Sequence, residues 1–138
     1  MAKQAGFTPG EIIQLEKTSH QLIHPAIVRV VLHPGKRLSP EEVLAVRDLN
    51  IQLTTGRPYY ILLITNEFSI PPVKSRKLFS QPDFNPLLQA SAYVVNSKAT
   101  RLAVNLFIQF NKPVKPIKIF GSEATALKWL NEQVNAKG

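Results

Sequence analysis

Residues 58–66 read Pro58-Tyr59-Tyr60-Ile61-Leu62-Leu63-Ile64-Thr65-Asn66 (PYYILLITN). From Tyr59 to Ile64 the run has no polar alternation. A strand with one wet face alternates apolar and polar residues, whereas a strand covered on both faces is apolar throughout. Such a strand belongs at the centre of a parallel sheet. Parallel neighbours cannot be joined by a tight hairpin, so helical crossovers are expected on either side.

Both flanks carry them. Upstream, Ser39-Pro40-Glu41-Glu42 puts a hydroxyl at a helix N-cap, proline at the first helical position and glutamate at the third. This is a capping box, in which each end satisfies a free backbone amide. Val43, Leu44, Val46, Leu49 and Leu53 follow at helical spacing, Gly56 stands at the C-terminal position, and Pro58 blocks resumption. Downstream, Pro71-Pro72 precede a short helix from about Val73 to Ser80. QASAYVVN (89–96) is the next apolar strand. Ser97 then caps a helix with Leu102, Ala103, Leu106, Phe107 and Phe110. KPIKIFG (115–121) contains a proline and alternates lysine with apolar residues, which suits an edge strand. Ser122 caps a last helix that turns Ala126, Leu127, Trp129 and Leu130 inward.

At the N-terminal end, EIIQLE (11–16) and AIVRVVL (26–32) read as an antiparallel hairpin. The polar KTSHQLIHP joins them, with room for a further short strand at 21–24. The order is β-β-α-β-α-β-α-β-α: an α/β fold with a mixed, mostly parallel sheet of about five strands and about four helices. Residues 1–9 are expected to be a flexible N-terminus, and residues 10–138 a single domain. In the segment SQPDFNPLL (80–88), Phe84, Leu87 and Leu88 are expected to cover the sheet; the alternative is an exposed apolar lip.

The chain has 138 residues, enough for one ordinary core; 44% are apolar and 19% charged, which fits a folded globular protein. There is no cysteine, so disulfides, thiolate catalysis and zinc–cysteine sites are excluded. The N-terminal stretch has no apolar core of the kind a secretory signal needs, and a cytoplasmic location is expected. The 17 basic and 9 acidic residues leave a net charge of +8, which favours acidic partners. Local concentrations are Lys74, Arg76 and Lys77, and Lys112, Lys115 and Lys118. Aromatics are not interleaved with them as nucleic-acid recognition asks; Phe110 and Phe120 read as core. Nucleic acid is therefore not an expected partner.

Several stretches together resemble the SpoIIAA-like, STAS-like family of small bacterial domains, which borders on the SEC14 fold. They are SPEEV at the first helix, PYYILLITN at the central strand, AYVVNSKATRLAVNLF as strand and helix, and PIKIFGSEATALKWL at the C-terminus. The resemblance covers roughly residues 10–135 and implies a STAS-like fold. In STAS switch proteins a serine after the central strand is phosphorylated, in a stretch similar to Asp-Ser-Ser-Gly. Here the corresponding stretch is Ile70-Pro71-Pro72-Val73-Lys74-Ser75-Arg76, without aspartate or glycine. The resemblance thus makes Ser75 a candidate phospho-acceptor, against a plain helical serine.

In open α/β sheets, ligands sit at the carboxyl ends of the strands. The expected strands end at Asn66, Asn96 and Gly121, and the next helices begin near Val73, Lys98 and Glu123. A rim of Asn66, Lys74, Ser75, Arg76, Asn96, Ser97, Lys98, Arg101 and Ser122 is the candidate ligand or partner site. The competing reading makes Ser97 and Ser122 ordinary N-caps and the asparagines turn formers. His20, His24 and His33 cluster near the hairpin without a carboxylate at ligand spacing, and read as surface residues, so no metal site is expected. No nucleophile elbow, phosphate loop, dinucleotide fingerprint or paired carboxylates are present. The expectation is a non-enzymatic binding or regulatory module without cofactor, which meets a protein partner or a second copy through the rim. The alternative is a peripheral protein on an anionic membrane, at the inner face. For a chain this short, headgroup contact is expected rather than lipid extraction.

Overall fold

In the computed structural model, which describes residues 7–111 and 113–137, β4 (Tyr59–Ile64) lies in the interior of a sheet. Its neighbours are β3 (Ile27–Leu32) and β5 (Leu88–Val94), both parallel to it. Beyond β5 comes β6 (Ile117–Phe120), also parallel, at the edge. Beyond β3 come β2 (Thr18–His24) and the two-residue β1 (Ile13–Gln14), both by antiparallel pairing. The sheet order of these six strands follows the chain order. The helices are α1 (Pro40–Leu53), α2 (Val73–Phe79), α3 (Lys98–Asn111) and α4 (Glu123–Lys137). Every parallel step therefore moves one place along the sheet through one helix.

The hairpin differs from the sequence reading. The segment read as a connection with room for a short strand at 21–24 is a full strand, β2, which begins already at Thr18, and it is β2 that pairs with β3, in register from Thr18↔Leu32 to His24↔Ile27 with a bulge. EIIQLE contributes only β1 on the outer edge, which raises the count to six strands. Thr18 and His20 explain the misreading. They are polar but buried, and they bond to each other at 2.8 Å. His20 also meets Asn50 of α1 at 2.8 Å. These bonds satisfy both ring nitrogens of His20 and the Thr18 hydroxyl, so the strand does not need apolar side chains at these positions to face the core. Of the segment 1–9 expected to be flexible, residues 1–6 lie outside the described residues; at the start of the expected domain, the Gly10 N–H donates to the Leu22 carbonyl at 2.9 Å.

Local signals hold elsewhere. Ser39 and Glu42 form the capping box, and Lys17 adds an ion pair to Glu42 at 2.7 Å. The α1 C-terminus ends in two residues with positive φ, Thr55 and Gly56, and the Gly56 N–H closes on the Ile51 carbonyl at 2.9 Å.

Period-2 alternation sends each strand's residues to two faces. One face carries Tyr60, Leu62 and Ile64 with Ala90, Ala92 and Val94, and α4 packs on it with Ala126 and Leu130. The alanines let the helix approach closely. Arg29 of β3 holds the start of α4 through a bidentate pair with Glu123, at 2.9 and 3.0 Å. The other face carries Val28, Val30, Ile61 and Leu63 under α1. On that side α2 and α3 complete the layer, but they leave a cavity of about 200 Å³ over the sheet. Phe84 and Leu88 line it, and Phe84 packs edge-on against Phe79 under Arg47, so the 80–88 segment does cover the sheet.

Candidate functional site

The carboxyl ends of β3, β4, β5 and β6 open on one rim, and short polar contacts bind its loops. The Gly35 N–H donates to the Glu67 carbonyl at 3.1 Å, and Arg37 Nε to the Ile70 carbonyl at 2.8 Å. The β3–α1 and β4–α2 loops are therefore tied to each other. The Thr100 hydroxyl donates to the Asn66 carbonyl at 3.2 Å, tying α3 to the end of β4.

The rim residues fall into three groups. Ser97 and Ser122 are N-caps, accepting from the backbone N–H of Thr100 at 3.1 Å and of Thr125 at 3.3 Å. Asn66, Asn96, Lys98 and Arg101 are exposed around the first turn of α3. Arg101 Nη2 donates to the Val95 carbonyl at 3.3 Å, and a Cβ at Gly121 would lie 3.1 Å from it, so this side chain reaches the β6–α4 turn. Lys74, Ser75 and Arg76 stand apart, on α2. Lys74 is exposed, but Ser75 is fully buried and its hydroxyl donates to the Leu38 carbonyl at 2.6 Å. A phosphoryl group on Ser75 requires that contact to open and α2 to lift. Arg76 is half-buried, with its Nε enclosed and unpartnered.

The structure adds a feature the sequence reading did not single out, and corrects the reading of Phe110 as core. Leu102, Leu106 and Phe110 are 62%, 45% and 81% exposed. They recur every fourth residue and so form one row along α3, headed by Lys98. The helix reaches the sheet with Val104 and Phe107 instead, and Phe107 packs on Phe68 at 5.4 Å between ring centroids. The apolar arc of α3 is therefore wider than the single stripe a packed helix needs, a signal present in the sequence. Ile70, Val73 and Val114 are exposed as well. Phe120, by contrast, packs on Trp129 at 5.7 Å.

The charge around this row has one sign. No aspartate or glutamate occurs from Phe84 to Ser122, a stretch that holds Lys98, Arg101, Lys112, Lys115 and Lys118. Lys112 lies outside the described residues. The ion pairs found among the described residues lie elsewhere, at Lys17–Glu42, Arg29–Glu123 and Arg47–Asp48.

The histidines do not gather at the rim. His20 is buried in β2, not on the surface as read, and burial depresses its pKa against the opposing bond to Asn50. Among the described residues, no group of three or more His, Asp or Glu side chains could hold a metal.

A family model described as "Domain of unknown function (DUF7793)" matches residues 22–134. The chain belongs to the DUF7793 family. No curated protein matches this DUF7793 chain. Among solved structures, it is similar to the crystal structure of an uncharacterized protein of the DUF3478 family with a SpoIIAA-like fold from Shewanella loihica. The TM-score is 0.51 at 14% identity, over 92% of this chain and 98% of that one. The likeness shows the fold, and the DUF7793 chain has the SpoIIAA-like architecture that its sequence resembles. No helix of its described residues is long and apolar enough to cross a membrane.

Proposed function

We propose that this protein is a non-enzymatic binding module that docks on an anionic membrane surface through α3 and the loops beside it. The observation that supports this reading is the exposed row Leu102, Leu106 and Phe110 within a stretch that has basic but no acidic residues. A helix of this kind lies in the headgroup plane, its apolar row in the acyl boundary and its cations among lipid phosphates. Each lysine or arginine near such a surface adds about 1 kcal/mol. The contact is peripheral and places the protein at the inner face of the membrane.

The test is co-sedimentation with vesicles of mixed phosphatidylglycerol and phosphatidylcholine, beside vesicles of phosphatidylcholine alone. The expected result is binding to the mixed vesicles only, lost on adding salt. Leu106→Ser/Phe110→Ser and Lys98→Glu/Arg101→Glu each lower it at least about tenfold. Phe110→Ser alone leaves the melting temperature unchanged, because the ring has no packing to lose. Binding to neither vesicle, with a row that instead buries itself in a dimer, overturns the membrane reading.

A second reading follows from the rim. Asn66, Asn96, Lys98 and Arg101 are exposed together at the strand ends, the usual ligand position of an open sheet. A protein partner or a second copy that docks there is lost from Lys74→Glu/Arg76→Glu/Arg101→Glu but retained by Leu106→Ser/Phe110→Ser, which separates it from membrane docking.

A further inference from the structure

The cavity between the sheet and α1–α3 measures about 200 Å³. An apolar cavity of roughly 150 Å³ holds a benzene molecule, so this space fits a somewhat larger guest. Its walls are mainly apolar, with Val30, Ile61, Leu63 and Phe107 among them. Close-packed interiors rarely leave such a space between well-formed elements.

Two residues of the lining each carry a buried polar atom that has no partner. Asn50 is fully buried, and its Nδ2 donates to nothing. Its Oδ1 is already engaged by His20 Nδ1 at 2.8 Å, and His20 Nε2 meets the Thr18 hydroxyl at 2.8 Å. That chain orients the amide, and with the amide so placed its N–H₂ is left over. Asn85 is the reverse case: its Nδ2 donates to the Tyr59 hydroxyl at 2.8 Å, and it is the buried Oδ1, an acceptor, that has no partner. A buried donor without an acceptor and a buried acceptor without a donor each leave a desolvation cost unmet, and the free donor of Asn50 asks for an acceptor that the chain does not supply. The charged residues of the lining are Lys36, Arg47 and Lys115, all cationic; Arg47 is paired with Asp48 at 2.9 Å, which leaves the two lysines to set the charge. Tyr93 also lines it; it keeps surface accessible from the cavity, yet burial pushes its phenol up to about 12, so it stays a neutral hydroxyl.

We infer that this cavity is a binding site for a compact apolar carboxylic acid, its body against the sheet and its acid group accepting from Asn50 Nδ2. The cationic lining selects a carboxylate over an amine of the same shape. The site is separate from the α3 row and stands whether or not the protein docks on membranes.

The test is a titration of amide resonances with octanoate, and with octylamine as the charge-reversed control. The expected result is saturable octanoate binding that shifts amides of β4, β5 and the α1 C-terminal half, at least tenfold tighter than octylamine. Ser91→Leu fills the cavity from β5 without touching Asn50, and lowers octanoate affinity at least tenfold while vesicle binding is unchanged. Asn50→Leu removes the donor with the same effect on affinity. Because Asn50 also holds His20, Ser91→Leu decides the case if Asn50→Leu fails to fold. Failure of octanoate to bind, shifts confined to α3 and the surface, or full binding by Ser91→Leu each overturns the assignment and leaves a cavity occupied by water.

Discussion

The two faces of the sheet are built on different terms. Under α4, fully buried residues meet a helix brought close by Ala90, Ala92 and Ala126, and an ion pair at Glu123 holds the helix start. Under α1–α3, the same strands present Val30, Ile61 and Leu63 to an open space lined by buried polar groups. One face spends its apolar surface on packing, and the other leaves part of it available. In a protein of two layers on one sheet, the denser face sets stability and leaves the looser one to evolve a site.

The contrast can be broken most directly by truncating adjacent leucines of β4. Leu62 is fully buried on the α4 face, and Leu62→Ala should lower unfolding free energy by about 3–5 kcal/mol. Leu63 faces the cavity, and Leu63→Ala should cost less by at least about 1 kcal/mol, since part of its surface already lacks neighbours. Urea unfolding measures both, and equal losses would erase the distinction between the faces.

Adding bulk reverses the sign. Ala92→Leu forces a side chain between β5 and α4 and should cost about 1–3 kcal/mol. Ser91→Leu, one residue earlier and on the opposite face, should hold or raise the melting temperature. A Ser91→Leu protein as unstable as Ala92→Leu would mean that the cavity closes in solution.

Titration sharpens the comparison with the smallest effect. His20, on the cavity face, has a pKa held below 6.5 by burial, so the folded state binds its proton less readily than the unfolded chain. Stability is unaffected well above 6.5, and falls as pH drops from there to the depressed folded value. His24 is depressed too, by burial, and adds to the same window. Glu123, on the α4 face, is held below 4.5 chiefly by its bond from Arg29; Glu42 is held below it chiefly by Lys17. Their contribution is present above 4.5 and is lost as pH falls through the lowered values. Melting temperature against pH should therefore show two separate acid steps. His20→Gln should shrink the upper one and leave the lower one in place. An unchanged upper step would show that His20 is not buried in solution.

Much of this fold could be read locally. The unbroken apolar run at 59–64, the capping box at Ser39–Glu42 and the serine caps at 97 and 122 name their elements without reference to the rest of the chain. Helix starts at Val73, Lys98 and Glu123 stand where the sequence puts them. β2 was not legible in this way, because Thr18 and His20 are tolerated inside only through Asn50, thirty residues beyond His20. The width of the apolar arc on α3 was legible, but which part of it stays bare, Phe110 included, was not. An aromatic at helical spacing fits a core face or a bare one, and only the docking of Val104 and Phe107 decides which face turns inward.

The candidate sites divide along the same line. Sequence alone established the α/β order, the basic balance and the helix starts along the rim, because these follow from period, capping and composition, which are properties of neighbouring residues. Tertiary structure decided that Ser75 is buried under Leu38, that the row on α3 is bare, and that the amides of Asn50 and Asn85 border a cavity. Each of these depends on how far one element stands from another, and that distance is set by the combined shape of side chains far apart in the chain.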